Sequence, residues 1–219
     1  MSSIKAGFKR LDNLTKWIGY VLYAQILLAV LAIIFQFIEY QLLSAFQQGI
    51  YASLANAYDD GELAIEILQI IGMASLLAFI ASAVLILQWI YRANNNVRQL
   101  GAQKMNFTPA WSIAYYFIPV FNLWKPYQAM KEIWLASKNA VAGDLSKSRS
   151  ILPLWWTLWL ASNLLGQSIF RLSASAEKLP ELINFNLISQ ASNLLDILLA
   201  IVTYTMIKVI YRMQTSHKE

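Results

Sequence analysis

The sequence predicts an all-α, polytopic membrane protein with four transmembrane helices and a re-entrant or interfacial helical hairpin. Three observations carry that prediction. Of 219 residues, 58% are hydrophobic and only 13% charged, against about a quarter charged in soluble globular chains. Four apolar runs, 17–38, 67–90, 152–172 and 187–207, match the roughly 20 helical residues that cross a hydrocarbon core. The period-2 alternation of a β-barrel, the other architecture that satisfies every backbone group in lipid, is absent.

Taken in order, residues 1–16 form an arm carrying Lys5, Lys9, Arg10 and Lys16, which the positive-inside rule places in the cytoplasm. The first run exceeds the apolar core of about 7–15 residues in a cleaved signal, so it is expected to stay as a helix. Residues 17–91 make a first helical hairpin. Its turn, 41–63, has no Lys or Arg but contains Asp59, Asp60 and Glu62, so it is expected outside. Ala74, Ala78 and Ser82 form a small-residue stripe that allows close helix approach.

Residues 92–150 form a cytoplasmic-side region. Its middle, 109–124, is uncharged and rich in Trp, Tyr and Phe, with Arg92, Arg98 and Lys104 before it and Lys125 and Lys131 after it. Thr108-Pro109 reads as a helix start, and Pro119 must kink or end that helix. The segment is therefore predicted to enter the bilayer and return to the same side. A fifth crossing, the alternative, would export the bases of the following linker. From 127 to 138, Tyr127, Met130, Ile133, Trp134 and Ser137 share one face while Gln128, Lys131, Glu132 and Lys138 share the other, the pattern of an amphipathic interfacial helix. A polar linker, 141–150, leads to a second hairpin, 151–212, which opens with Trp155, Trp156 and Trp159, turns through 173–186 and ends at Lys208 and Arg212. The tail is 213–219. With both termini inside, only Arg171 and Lys178 of the 17 Lys and Arg residues lie outside. Ile90-Tyr91-Arg92 recurs as Ile210-Tyr211-Arg212, a weak sign of a duplicated hairpin.

Several chemistries are excluded by composition. There is no cysteine, and the single histidine, His217, lies in the tail, which removes thiolate or imidazole metal centres and a cysteine nucleophile. No G-x-S-x-G, Gly-rich phosphate loop or H-E-x-x-H is present. No catalytic residue, metal ligand or cofactor is predicted, and the chain is expected not to be an enzyme. The net charge of +5 sits beside the spans, where orientation accounts for it, and no nucleic-acid-reading motif accompanies it.

Two polar constellations are candidate sites. The first comprises Arg92, Asn96, Arg98, Trp111, Asn122, Trp124, Lys125, Lys131, Glu132 and Trp134, an inner surface expected to bind membrane lipid or a membrane or cytoplasmic partner protein. Its bland counterpart is topology anchoring by the bases alone. Glu132 either pairs with Arg92 or Arg98 or is solvated. The second centres on Asp196, whose place mid-span costs about 2.5–3.5 kcal/mol on insertion scales. Asn193 and Asp196 share a face with Ser189, and Asn163, Gln167 and Arg171 share a face of the preceding span. Antiparallel packing is expected to bring Asn163 level with Asp196 and Gln167 near Asn193. That is either a polar path for a small solute or ion, or interhelical hydrogen bonding worth about 0.6 kcal/mol per contact. The leading expectation is a non-enzymatic multi-pass protein whose 92–134 region binds lipid or a partner at the cytoplasmic leaflet; a small transporter or channel around Asp196 is the alternative. Oligomeric state is not legible.

Arg92-Ala93, Asn96, Arg98 and Leu100-Gly101 are followed by Phe107-x-Pro109-x-Trp111, then Phe117-x-Pro119-x-x-Asn122-Leu123-Trp124-x-Pro126-Tyr127, then Glu132-Ile133-Trp134. This spacing of prolines, tryptophans and polar residues resembles the bacterial multi-pass membrane family known as domain of unknown function 4328. The resemblance is firm over 90–135 and looser over the flanking spans. It implies a bacterial inner (plasma) membrane location and functional weight for the central element, and it supplies no catalytic residue. Asp196 is not part of the motif.

Overall fold

A computed structural model describes residues 7–103, 105–140 and 150–216. Lys5, Lys104, His217 and all but the last residue of the predicted 141–150 linker lie outside the described residues. Within them the chain forms seven α-helices, one 3-10 turn and no strand: α1 Asp12–Gln47, α2 Leu54–Asp60, α3 Glu62–Gln99, α4 Trp111–Ala114, α5 Lys125–Asn139, α6 Leu152–Ser173 and α7 Leu179–Thr215, with the 3-10 turn at Phe121–Leu123.

Three of these, α1, α3 and α7, are long and apolar enough to cross a membrane, with mean hydropathies of 2.5, 2.6 and 1.9 in their most apolar windows. α6 has 22 residues, but Pro153, three tryptophans, Asn163 and Gln167 lower its hydropathy. The outward surface of the long helices is inverted relative to a soluble protein. α1 exposes Leu27, Ile34 and Phe37 and α3 exposes Ile70, Leu77 and Phe79, whereas α7 buries Asn186, Ser189, Ser192 and Thr203. An apolar solvent accounts for that distribution, because polar groups in lipid turn toward protein. Together with the spans, it points to a membrane location.

Two helix ends use glycine in the left-handed region. Gly49 (φ 77°) follows α1 and Gly101 (φ 98°) follows α3; Ile50 N–H donates to the Ala45 carbonyl and Ala102 N–H to the Val97 carbonyl, each at 3.0 Å. These are the long-reach bonds of a glycine-terminated helix. The outer turn predicted at 173–186 is shorter than expected, because α7 already begins at Leu179. Pro180 fits a first helical turn, and the Glu181 carboxylate accepts from the Glu177 and Lys178 amides at 3.0 and 3.1 Å.

The chain divides into two compact units. One comprises residues 22–80 and 158–200. It contains α2, whose N-cap Ser53 accepts from Asn56 N–H at 3.1 Å, and Gly61, where an added Cβ would meet the Leu42 side chain.

The other unit comprises 1–21, 81–157 and 201–219 and holds a buried, mainly apolar core. Leu11 just before α1, Ile18 of α1, Trp89, Ile90 and Val97 of α3, Met130, Ile133 and Trp134 of α5, Trp155 of α6 and Met206, Ile207, Ile210 and Met213 of α7 are buried. Polar ties run through it. Trp89 Nε1 donates to Thr15 Oγ1 at 3.0 Å and Tyr211 Oη to Asp12 Oδ1 at 2.6 Å. Gln214 Nε2 donates to the Ala93 carbonyl at 3.2 Å and Ser137 Oγ at 3.0 Å. Gly19 marks a close approach, since a Cβ there would lie 2.8 Å from the Tyr204 hydroxyl. The two Ile-Tyr-Arg triplets bury their isoleucines alike, but Tyr91 lies under Lys9 Nζ at 5.2 Å while Tyr211 bonds Asp12.

In that same unit the predicted interfacial helix is corrected. The apolar face of α5, carrying Ala129, Met130, Ile133, Trp134 and Ser137, is buried by protein and not presented to lipid. Periodicity marks an apolar face; it does not say which apolar medium covers it.

The aromatic segment before α5 contains no long helix. Thr108 starts its first turn, with its carbonyl accepting from Ser112 N–H at 2.9 Å and its Oγ1 from Trp111 N–H at 3.2 Å. The helix stops after Ala114, ahead of Pro119. Val120 then takes φ 69°, a strained setting for a β-branched residue, and the 3-10 turn leads directly into α5.

Candidate functional site

The central region is built on a polar clamp. α3 runs uninterrupted through Asn94, Asn95 and Asn96, so three successive amides fan out around one helical turn and reach different partners. Asn96 is fully buried and reads one residue of the arm twice: its Oδ1 accepts from Lys9 N–H and its Nδ2 donates to the Lys9 carbonyl, both at 2.8 Å. Asn95 Nδ2 donates to the Gly7 carbonyl at 2.9 Å and Arg92 Nη1 to the Arg10 carbonyl at 3.3 Å. The hydrogen bonds that hold the arm from Gly7 to Arg10 thus run to its backbone.

On its other side the turn grips the loop before α4. Asn94 Nδ2 and Arg98 Nη2 both donate to the Phe107 carbonyl, at 3.0 and 2.8 Å, and Arg98 Nε donates to Asn94 Oδ1 at 3.2 Å. From α5, Glu132 takes the opposing polarity: Oε1 accepts from Asn106 N–H at 2.6 Å and Asn106 Nδ2 at 2.9 Å, and Oε2 accepts from Phe107 N–H at 3.1 Å. Glu132 and Arg98 therefore hold neighbouring groups of one loop from α5 and α3, where the sequence offered either an ion pair or a solvated carboxylate. A charged acceptor on three N–H donors belongs to the stronger class of hydrogen bond.

This scaffold presents an aromatic surface. Trp111 and Tyr115 lie 5.2 Å apart between centroids, Tyr115 and Phe121 5.9 Å, and Phe121 and Trp124 5.7 Å. Lys125 Nζ lies 5.6 Å from the Phe107 ring and 5.9 Å from the Tyr115 ring. Trp111, Phe117, Val120, Phe121, Leu123 and Trp124 are exposed, Phe117 to 73%. Among the residues selected from sequence, Trp111, Trp124 and Lys125 belong to this surface, Lys131 is exposed on α5 and Asn122 is half-buried. Arg92, Arg98 and Glu132 serve the clamp. Asn96 and Trp134 are corrected as ligand-binding residues, because both side chains are buried and Asn96 is spent on Lys9.

A family model for the description Domain of unknown function (DUF4328) matches residues 52–212. The chain belongs to this family. DUF4328 is all-helical here, and its matched stretch takes in α2 to α7 up to Arg212 and leaves the arm that the asparagine turn holds outside the match. No curated protein and no solved structure matches the chain.

A second polar constellation of this DUF4328 chain lies in the unit formed by 22–80 and 158–200. α7 turns Asn186, Gln190, Asn193 and Asp196 along one side. Asn186 Nδ2 donates to the Gln36 carbonyl at 2.9 Å and Glu39 Oε2 at 2.7 Å, Gln190 Nε2 to Asn186 Oδ1 at 2.7 Å, and Asn193 Nδ2 to Gln36 Oε1 at 3.0 Å. Asp196 Oδ1 accepts from Ser162 Oγ at 2.6 Å. On α2, burial pushes the Tyr58 phenol above its ordinary range, with the charge of Glu39 adding to the effect.

The expected α6 partners are not those the structure brings to Asp196 and Asn193. Asn163 is exposed and donates to its own helix at the Trp159 carbonyl, 2.7 Å away; Gln167 and Arg171 are also exposed. Ser162, Gln36, Glu39 and Asn186 take their place. Gln36 and Glu39 were legible as two polar residues one helical turn apart at the end of an apolar run, whereas Ser162 carried no signal.

Proposed function

We propose that the chain is a non-enzymatic, multi-pass inner-membrane protein whose 109–124 segment binds lipid at the cytoplasmic leaflet. In this reading α1, α3, α6 and α7 cross the bilayer, both termini are cytoplasmic, and the aromatic segment enters and leaves the same leaflet. The observation that carries it is the exposed run Trp111, Phe117, Val120, Phe121, Leu123 and Trp124, mounted on a loop gripped by Asn94, Arg98 and Glu132. Exposed Trp with a neighbouring Lys suits the headgroup boundary, and each large apolar side chain fully withdrawn from water contributes about 1.5–3 kcal/mol. A partner protein at this surface is the outcome that the test below separates from lipid.

The chain has no cysteine, so single-cysteine reporters are unambiguous. An environment-sensitive fluorophore on Phe117→Cys, in the full chain reconstituted into vesicles, is expected to shift to the blue and to be quenched by shallow spin-labelled lipid. Ala102→Cys and Ala140→Cys are expected to react with an impermeant maleimide from one and the same side. A water-exposed fluorophore, or opposite-side labelling, would overturn the reading.

The polar side of α7 supports a second reading, a proton or cation route to Asp196. It rests on the hydrogen-bonded series Glu39, Asn186, Gln36 and Asn193, with Gln190 on Asn186, which ends one helical turn before Asp196. Proteoliposomes are expected to show a flux that Asp196→Asn abolishes; absence of flux in the parent, or equal flux in the variant, rejects it.

A further inference from the structure

The surface of α6 differs from that of the other long helices. Over their central turns α1 and α3 expose apolar side chains and, on α3, Gly72, whereas α6 exposes the amides of Asn163 and Gln167 together with Gly166 and Phe170. These stand at i, i+3, i+4 and i+7, a single stripe on a helix with about 100° per residue. Within the reading above, where α6 crosses the bilayer, this places two uncharged amides against hydrocarbon. Polar side chains at that depth turn to protein or water.

We infer that this stripe is covered by the same stripe of a second copy of the chain, in a two-fold dimer about an axis normal to the membrane. The chemistry favours a copy of itself. Asn and Gln amides each carry donors and an acceptor, so Asn163 and Gln167 complement their own images, as an isologous interface requires. Only one of the Asn163 amide hydrogens is used, by the Trp159 carbonyl, which leaves its oxygen and a further donor for the image. Gly166 has nothing within 4 Å of the position of an added Cβ, so a second backbone can approach there, and small residues beside amides are what drive helix association in lipid. Arg171, one turn beyond Gln167 and on its face, falls at the outer end, where two like charges can diverge into water.

The inference rests on α6 crossing the membrane, so the experiment tests the two separately. Single-cysteine variants Asn163→Cys, Gln167→Cys and Ser168→Cys are placed in the full chain, in native membranes and at high lipid dilution. Oxidation is expected to convert most of the first two to a dimer-sized band and little of Ser168→Cys, which lies across the exposed arc. Asn163→Leu combined with Gln167→Leu is expected to change single-molecule photobleaching from two steps to one. Labelling of 163 and 167 by an aqueous maleimide without cross-linking would mean a water-lined face and overturn the dimer. Neither labelling nor cross-linking would mean a lipid-covered face and overturn it as well. Ser150→Cys and Ser175→Cys report the crossing: reaction from opposite sides supports it, and reaction from one side removes the crossing and the dimer inference with it.

Discussion

Trp134→Ala is expected to lower the stability of the detergent-solubilised protein by about 3–5 kcal/mol, the cost of emptying a buried aromatic site, while Trp111→Ala leaves stability within about 0.5 kcal/mol. The two tryptophans belong to one motif region and differ in what surrounds them. Trp134 is 2% exposed, on the α5 face with Met130 and Ile133. One turn on, Ser137 Oγ accepts from Gln214 Nε2 of α7. Removing the indole from a site with almost no solvent access leaves a void, and how far the surroundings collapse into it sets the cost within that range. Trp111 is 50% exposed, and its ring lies tilted against that of Tyr115 at 5.2 Å. The lipid readout is expected to reverse the order: Trp111→Ala weakens vesicle association of the folded protein, and Trp134→Ala, assayed below its unfolding midpoint, leaves it unchanged. Denaturant titration followed by far-ultraviolet circular dichroism checks the first comparison and vesicle flotation the second. Equal stability losses would mean that the division between core and surface drawn here is wrong.

The sequence made the helices legible and left their partners unread, and the reason differs by residue. Long uncharged runs can satisfy their backbone in lipid only as helices or closed barrels, so α1, α3 and α7 follow from composition. The buried face of α5 followed from its period, but the same period serves a helix lying on a membrane and one packed on protein; only the placement of Trp134 decided between them. Asn96 read as part of a polar inner surface because its partner, Lys9, is 87 positions away and is bound through its backbone, which leaves no trace in residue type. The i, i+4 spacing gave the polar side of α7, yet pairing it with α6 required a register. The loop between them was read as 173–186, and α7 in fact begins at Leu179. Ser162 and Asn163 stand nearly level but point about 100° apart round α6, and it is Ser162 that meets Asp196; turn length does not reveal that rotation.

Asn96→Leu is expected to release the arm and to cost about 2–4 kcal/mol, since each buried or part-buried polar group left without its partner costs about 1–3 kcal/mol and both the N–H and the carbonyl of Lys9 lose theirs. Leucine keeps the branching of asparagine but is bulkier, so at this fully buried site some overpacking adds to the loss of the two hydrogen bonds. Asn96→Asp sharpens the argument. Its carboxylate still accepts from Lys9 N–H but sets a second oxygen, with no donor, against the Lys9 carbonyl; the variant is expected to be as damaging as leucine. Arg92→Ala, which removes one bond of 3.3 Å to the Arg10 carbonyl, is expected to cost less than 1 kcal/mol. Hydrogen exchange locates the effect. In Asn96→Leu the amides of residues 9–12 are expected to lose protection by a factor of about ten or more, as 1.4 kcal/mol per decade requires, while Trp89 to Ala93 keep theirs. Protection of the Lys9 amide that survives the substitution would mean that the arm is held by something other than the asparagine turn, and the backbone-reading role given to Asn96 would fall.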